Sequence, residues 1–271
     1  MFKYFKNNFT KFEKYWFVIF SLTILAVTFY FSATQTDWKD WKSICLNFVV
    51  SPLSTMTGII TVVLCAKGDI NNYSFGIVNS VTYGLIAWVS GYYGDWLLNW
   101  FYFVPTQILI LYEWRRNLRN KTSNIVVMRR LSIRQALLSL SFGIVALIGF
   151  GLLLYYVDHW FVNYMKRSAS IYSSITKAFG IPLLGPMFDS STEVLQIMAQ
   201  ILLIKRFAEQ WALWIATNVI TVIMWAAVIL TDHSSFAWSV PTMLMWLAFL
   251  VNSIYGAYIW YGQSKTTKAK I

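Results

Sequence analysis

The sequence is poor in charged residues and in the residues that carry catalysis. Only 12% of its 271 residues are charged, whereas soluble domains have about a quarter. Its two cysteines, Cys45 and Cys65, share one apolar segment, which argues against a disulfide framework. Its two histidines, His159 and His233, fall in predicted loops, so we expect no buried histidine relay. Without a Walker motif, metal-ligand cluster or nucleophile–base pattern, we expect neither an enzyme nor a cofactor or metal site.

Long apolar runs dominate what is present. Hydrophobic residues make up 58% of the chain, and runs such as 136–157 show no alternation of the kind that a closed barrel requires. We predict an all-α polytopic membrane protein with eight transmembrane helices. With about 20 residues per span, we place them at about 16–31, 46–66, 73–91, 95–113, 135–157, 183–204, 208–230 and 238–260. A cleaved signal peptide is the alternative for the first helix, because Ser32–Ala33–Thr34 offers small residues.

Basic residues orient the chain. Most of the 22 Lys and Arg fall in the N-terminal segment, the 114–134 loop, the turn at Lys205 and Arg206, and the C-terminal tail. The positive-inside rule then puts both termini in the cytoplasm. We interpret the 114–134 loop as a topology signal rather than a phospholipid or nucleic-acid site, and we expect membrane lipid but no nucleic acid as a partner.

The second to fourth and the sixth to eighth helices echo one another. Three pairs carry the echo: Lys67 with Lys205, Asn79 with Asn218, and Trp114 with Trp260. Two triplets joined by one linker helix have the same orientation, so we predict parallel three-helix repeats, as in SWEET transporters, with a site near the midplane. The chain then divides into 1–44 (N-terminal segment and extra helix), 45–134 (first repeat and basic loop), 135–182 (linker helix and external loop), 183–262 (second repeat) and 263–271 (tail).

Polar and aromatic side chains recur on single faces of the predicted helices. Residues three or four apart share a face of an α-helix, and carboxylates or amides on such a face should line a protein interior or a wet cavity. Amides suit a ligand with hydroxyl or carboxamide groups, and tryptophan faces attract organic cations by about 0.5–2 kcal/mol each. The candidates are Asn79 and Tyr83 on the third helix, Trp96, Trp100, Phe103 and Gln107 on the fourth, Asp189, Glu193, Gln196 and Gln200 on the sixth, Trp211, Trp214, Asn218 and Trp225 on the seventh, and Asn252 and Tyr255 on the eighth.

Each candidate also has a plain structural interpretation. Tryptophans such as Trp16, Trp41, Trp238 and Trp260 are typical of the aromatic belt at a membrane interface. Amides inside helices often bridge neighbouring helices without contacting a substrate. Asp189 can simply cap the sixth helix.

Two stretches resemble the PnuC family of nicotinamide riboside transporters. In GYYGDWLLNWFYFVP, residues 91–105, Trp96 and Trp100 match the family's Trp-x-x-x-Trp motif. The order of acids, glutamines, tryptophans and asparagine over 189–218 is also similar to the family. The resemblance runs from the second predicted helix to the eighth, so the first helix lies outside the shared core. The sequence departs from the family around Gln107, where many relatives have glycine soon afterwards.

The resemblance implies facilitated diffusion of nicotinamide riboside by a uniporter in the bacterial inner membrane, with intracellular phosphorylation trapping the substrate for NAD synthesis. It also implies a homo-oligomer, which we expect to be a trimer. Thiamine or riboflavin carriers of the same fold class remain alternatives, as does a membrane enzyme or receptor that uses Asp189, Glu193 and Asp232. We expect three tryptophans to stack on the substrate: Trp211, Trp214 and Trp100. We expect hydrogen bonds to the substrate from the amides Gln107, Gln196, Gln200, Asn79 and Asn218, and a further contact from Tyr83. We expect Glu193 to balance a pyridinium charge, and Pro105 with Trp96 to act as a hinge or gate.

Overall fold

The computed structural model describes residues 10–89, 93–118, 125–165, 170–231 and 236–268. Within these ranges the chain is helical, and its β-pairings are isolated bridges rather than strands. The helices are α1 (Lys11–Gln35), α2 (Trp41–Lys67), α3 (Asn72–Val89), α4 (93–115), α5 (Ile133–Met165), α6 (Ser170–Phe179), α7 (Leu184–Ile204), α8 (Gln210–Thr231) and α9 (Phe236–Lys268).

Within the described ranges, five helices are long and apolar enough to cross a membrane. They are Lys11–Thr34, Trp41–Lys67, Ile133–Tyr164, Gln210–Thr231 and Ser239–Ser264. The prediction of an all-helical protein with several membrane spans is therefore confirmed. The other long helices, α3, α4 and α7, carry polar residues on faces that turn inward. The helix α7, for example, has two carboxyl groups and two glutamines within its 21 residues.

The region after the linker helix differs from the prediction. The helix α5 continues to Met165, so His159 lies on its exposed side rather than in a loop. The short helix α6 was not predicted, because its 10 residues are too few for a span. The predictions for Asp232, His233 and Trp238 fall where the structure describes no side chain.

Two turns end helices in the same way. After α2, Gly68 adopts a left-handed conformation with φ of 70°, and after α7, Arg206 does so with φ of 62°. Each turn closes with paired backbone hydrogen bonds of the Schellman type, from Gly68 and Asp69 to Cys65 and Leu64, and from Arg206 and Phe207 to Leu203 and Leu202. We call the side of the bundle with these two turns the turn end.

The helices α2 and α4 each contain a wide π-helical turn just before a proline. The turns are Leu46–Val50, before Pro52, and Leu98–Phe103, before Pro105. Proline has no backbone N–H, so the carbonyl one turn earlier lacks its usual partner and the helix departs from regular geometry there. In α4 the wide turn also shifts the residues before it to a different side of the helix.

Two helix pairs join the halves of the bundle. In the α2–α9 seam, the Trp260 indole donates to the Ala66 carbonyl at 3.0 Å and Asn252 Nδ2 donates to Val62 O at 2.7 Å. In the α4–α7 seam, the Trp114 indole donates to the Leu203 carbonyl at 3.3 Å. The helices α2 and α9 pack along much of their length, whereas α4 and α7 touch at few places.

A layer of four aromatic rings closes the turn end. It runs from Tyr73 to Trp114, Trp260 and Trp211, with ring centroids 5.0, 6.1 and 6.1 Å apart. The segment 125–130 lies across this layer and hydrogen-bonds both turns, with Val126 N donating to the Gly68 carbonyl and Arg129 N to the Arg206 carbonyl. Trp260 is thus fully buried, which replaces its interpretation as a belt residue; Trp16 is also buried, in the apolar core beside α2 and α9.

Candidate functional site

A cavity of about 140 Å³ lies between α2, α3 and α4 on one side and α7, α8 and α9 on the other. One water needs about 10–15 Å³ measured in this way, so the cavity has room for a small organic ligand. Most of the predicted contact residues line it: Asn79, Tyr83, Gln107, Gln196, Gln200, Trp211, Trp214 and Asn218. Residues brought together from both predicted halves of the chain therefore surround one space.

Trp100, Trp96 and Glu193 lie elsewhere. Trp100 is 38% exposed, and its indole donates to the Val81 carbonyl at 3.0 Å on the outer side of α3 and α4. Trp96 packs beside it, with ring centroids 6.1 Å apart. The wide turn in α4 explains this placement, because it breaks the regular helical spacing that would put Trp96 and Trp100 on the side of Gln107. Glu193 lies on α7 beyond Gln196, outside the cavity lining.

The amides around the cavity also connect helices. Asn79 Nδ2 donates to the Ser54 carbonyl, Gln107 Nε2 to Ser80 Oγ, and Asn218 Nδ2 to Ser253 Oγ, each at 2.8 Å. Gln200 Nε2 reaches Thr106 Oγ1 across the α4–α7 seam at 3.4 Å. The bridging interpretation and the lining interpretation therefore both describe these amides, because each bonds a neighbouring helix and also belongs to a residue of the cavity lining.

Four polar atoms of cavity-lining residues are buried without a hydrogen-bond partner among the described residues. They are Gln107 Oε1, the Tyr73 hydroxyl, and the indole nitrogens of Trp211 and Trp246. Leaving such a group unpaired costs about 1–3 kcal/mol. Each of these atoms has almost no accessible surface, so a ligand in the cavity would reach it only if its side chain moved.

Two glycines make room for the side chains of the site. A β-carbon on Gly76 would lie 2.3 Å from Gln107 Oε1, and one on Gly256 would lie 2.6 Å from the Trp211 ring. Both distances are below any normal contact, so the absence of a side chain at these positions allows Gln107 and Trp211 their observed placement.

The sequence prediction omitted several lining residues, among them Tyr73, Ser80, Asn99, Trp246, Phe249 and Ser253. Tyr73 could have been predicted as a lining residue from the correspondence between the two halves of the chain. It is the second residue of α3, as Trp211 is the second residue of α8, and the two rings occupy matching places in the aromatic layer. Trp246 could not have been predicted, because it stands in an apolar stretch of α9 where a tryptophan is equally typical of core packing.

Known proteins resemble this chain along most of its length. A family model described as nicotinamide mononucleotide transporter matches residues 49–262. The chain is 30% identical to a nicotinamide riboside transporter PnuC of Neisseria mucosa, over 94% of this chain and 82% of that protein. It is 26% identical to the PnuC of Haemophilus influenzae, over 97% and 95%. A crystal structure of a Vitamin B3 transporter PnuC superposes with a TM-score of 0.67 at 28% identity, over 96% of this chain and 94% of that one. Together with the helical cavity, these matches show that the chain belongs to the PnuC transporter family.

Proposed function

We propose that this protein carries nicotinamide riboside across the membrane. The cavity is the observation that carries the proposal, because its rings can stack on a flat pyridinium and its amide and hydroxyl side chains can bond ribose and carboxamide groups. The names of the relatives support the same substrate. The protein would act as a transporter and not as an enzyme.

The cavity favours the riboside over the mononucleotide that the family description names. The described residues lining it include no Lys, Arg or His. A phosphate group there would have no cationic partner, and an unpaired buried charge is strongly unfavourable. The riboside carries no phosphate and therefore avoids this cost.

Repeated details support two parallel three-helix units, α2–α4 and α7–α9, within an eight-span protein. The turns at Gly68 and Arg206 share one hydrogen-bond pattern. Trp114 and Trp260, near the ends of α4 and α9, each donate to the last turn of the first helix in the other unit. In this proposal α5 is the linker, α1 is an added helix, and α6 is a short helix that does not span.

The distribution of charge supports a cytoplasmic turn end. Lys67, Lys205, Arg206 and the 125–130 segment, with Arg129 and Arg130, all lie there. By the positive-inside rule, both termini are then cytoplasmic, in a bacterial inner membrane. The apolar surface exposed along α5 supports lipid contact and a homo-oligomer, for which we propose three copies.

We propose facilitated diffusion, in which the substrate equilibrates and intracellular phosphorylation retains it for NAD synthesis. The α4–α7 seam, with few contacts and the distorted turn before Pro105, is the part of the bundle best suited to open. Trp96, which lies near the start of α4 and packs against Trp100, would move with that helix.

Uptake of labelled nicotinamide riboside into proteoliposomes tests this proposal. We expect uptake to stop at equal concentrations with or without a proton or sodium gradient, and Trp211→Ala to lower the initial rate about tenfold. Trp41→Ala, at a tryptophan that is 73% exposed, is the matched control and should transport normally. Accumulation against a gradient would contradict the uniporter, and uptake of thiamine or riboflavin in place of nicotinamide riboside would contradict the substrate.

A further inference from the structure

Three carboxyl groups meet where α4 and α7 approach each other at the end opposite the turns. They belong to Asp95 on α4 and to Asp189 and Glu193 on α7, and we call them the acidic cluster. The Tyr83 hydroxyl donates to Asp95 Oδ2 at 3.0 Å, and the Tyr172 hydroxyl donates to Asp189 Oδ2. The carboxyl groups of Asp95 and Glu193 lie close enough to interact with each other. The helices α3, α4, α6 and α7 thus all contribute to one polar network.

This network has an excess of acceptors. Glu193 is 6% exposed, and its Oε1 atom has no hydrogen-bond donor in the described part of the chain. The two ion pairs found there, Lys67 with Glu13 and Arg130 with Glu209, are both at the turn end. Carboxylates in hydrocarbon are costly and mark sites of function, and several this close cannot all be ionised without a positive partner.

The acidic cluster adjoins the cavity. Tyr83 lines the cavity and bonds Asp95, and Asn99 lines it and donates to the Asp95 backbone carbonyl at 2.8 Å. Gln196, another lining residue, is one helical turn from Glu193 on α7. A ligand that leaves the cavity along the α4–α7 seam, away from the turn end, would meet the cluster next.

We propose that the acidic cluster is a second binding site, which selects a positively charged aromatic ring on its way to or from the cavity. The cation would supply a positive partner, which the carboxyl groups lack among the described residues, and the rings of Tyr83 and Tyr172 would add cation–π attraction. The inference rests on the proposed function, since it concerns the same substrate. It goes further in assigning charge selection to a site outside the cavity.

A matched pair of ligands isolates this charge. Nicotinamide riboside has a cationic pyridinium, and its reduced dihydro form is neutral with nearly the same size and hydrogen-bonding groups. We expect the unaltered protein to take up the cationic form about tenfold faster than the neutral form. In Glu193→Gln and Asp95→Asn the ratio should fall to about one, mainly through slower uptake of the cation.

Glu113→Gln is the control, because Glu113 is also a carboxyl group on α4 but lies at the turn end, where it accepts from Asn117. It should keep the original ratio. If Glu193→Gln does not fold, Asp189→Asn replaces it, and uptake of the neutral form reports on folding in every variant. An unchanged ratio in the cluster variants overturns the proposal. Equal uptake of both forms by the unaltered protein overturns charge selection and leaves riboside transport standing, whereas uptake of neither form overturns both.

Discussion

The two seams of the bundle are built from corresponding helices, yet they differ in strength. Each joins the last helix of one three-helix unit to the first helix of the other, and each has a tryptophan that bonds a carbonyl at the turn end. The α2–α9 seam is packed along its length, and α1 covers it. The α4–α7 seam has few contacts, and the direct hydrogen bonds across it include Tyr102 to the Ile197 carbonyl and the long bond from Gln200 to Thr106.

The extra helix α1 accounts for much of this difference. Its Glu13 is 3% exposed, pairs with Lys67 at 2.8 Å and accepts from the Tyr255 hydroxyl at 3.1 Å. Lys67 ends α2 and Tyr255 belongs to α9, so one carboxylate holds both sides of the seam. We infer that the α2–α9 seam is the fixed hinge and that α4 moves relative to α7.

The largest expected effect comes from removing this carboxylate. Glu13→Ala would remove the carboxylate that pairs with the Lys67 ammonium, which is 13% exposed, and breaking a buried ion pair costs about 3–5 kcal/mol. We expect Tm in detergent to fall by about 10 °C. Glu209→Gln is the comparison, because its pair with Arg130 is more exposed and should contribute about 1 kcal/mol or less. Equal shifts in the two variants would remove the distinction between a fixed seam and an ordinary surface pair.

The substitution Gly256→Ala tests whether α9 can move away from the cavity. If the hinge holds α9 in place, the β-carbon of Gly256→Ala must displace the Trp211 ring, which lies 2.6 Å away. Overpacking of this kind costs about 1–3 kcal/mol, and we expect initial uptake to fall about tenfold. Gly262→Ala on the same helix is the control, since its β-carbon meets no atom within 4 Å. Normal uptake by Gly256→Ala would mean that α9 moves away instead and that the hinge lies elsewhere.

The helical architecture and much of the cavity could be predicted from sequence because both depend on local pattern. Apolar runs mark helices, and amides such as Gln107 and Asn218 stand out within them. Trp100 shows where the pattern fails, because regular spacing takes no account of the wide turn at Leu98–Phe103. The contact of Asp95 with Glu193 was not predicted, since it depends on how α4 meets α7 and not on either segment alone.

The smallest expected effect compares the two tryptophan hydrogen bonds directly. Trp260→Phe and Trp114→Phe each remove one indole N–H, at 3.0 and 3.3 Å from its carbonyl acceptor, and each should lower stability by about 1 kcal/mol. Their consequences for transport should differ. Loosening the α4–α7 seam through Trp114→Phe should change the uptake rate about twofold, because a bond in the moving seam must break in each cycle. Trp260→Phe should leave the rate unchanged, because a bond in the hinge persists throughout. Initial uptake rates beside Tm values would separate the two, and a rate change confined to Trp260→Phe would reverse the assignment of hinge and moving seam.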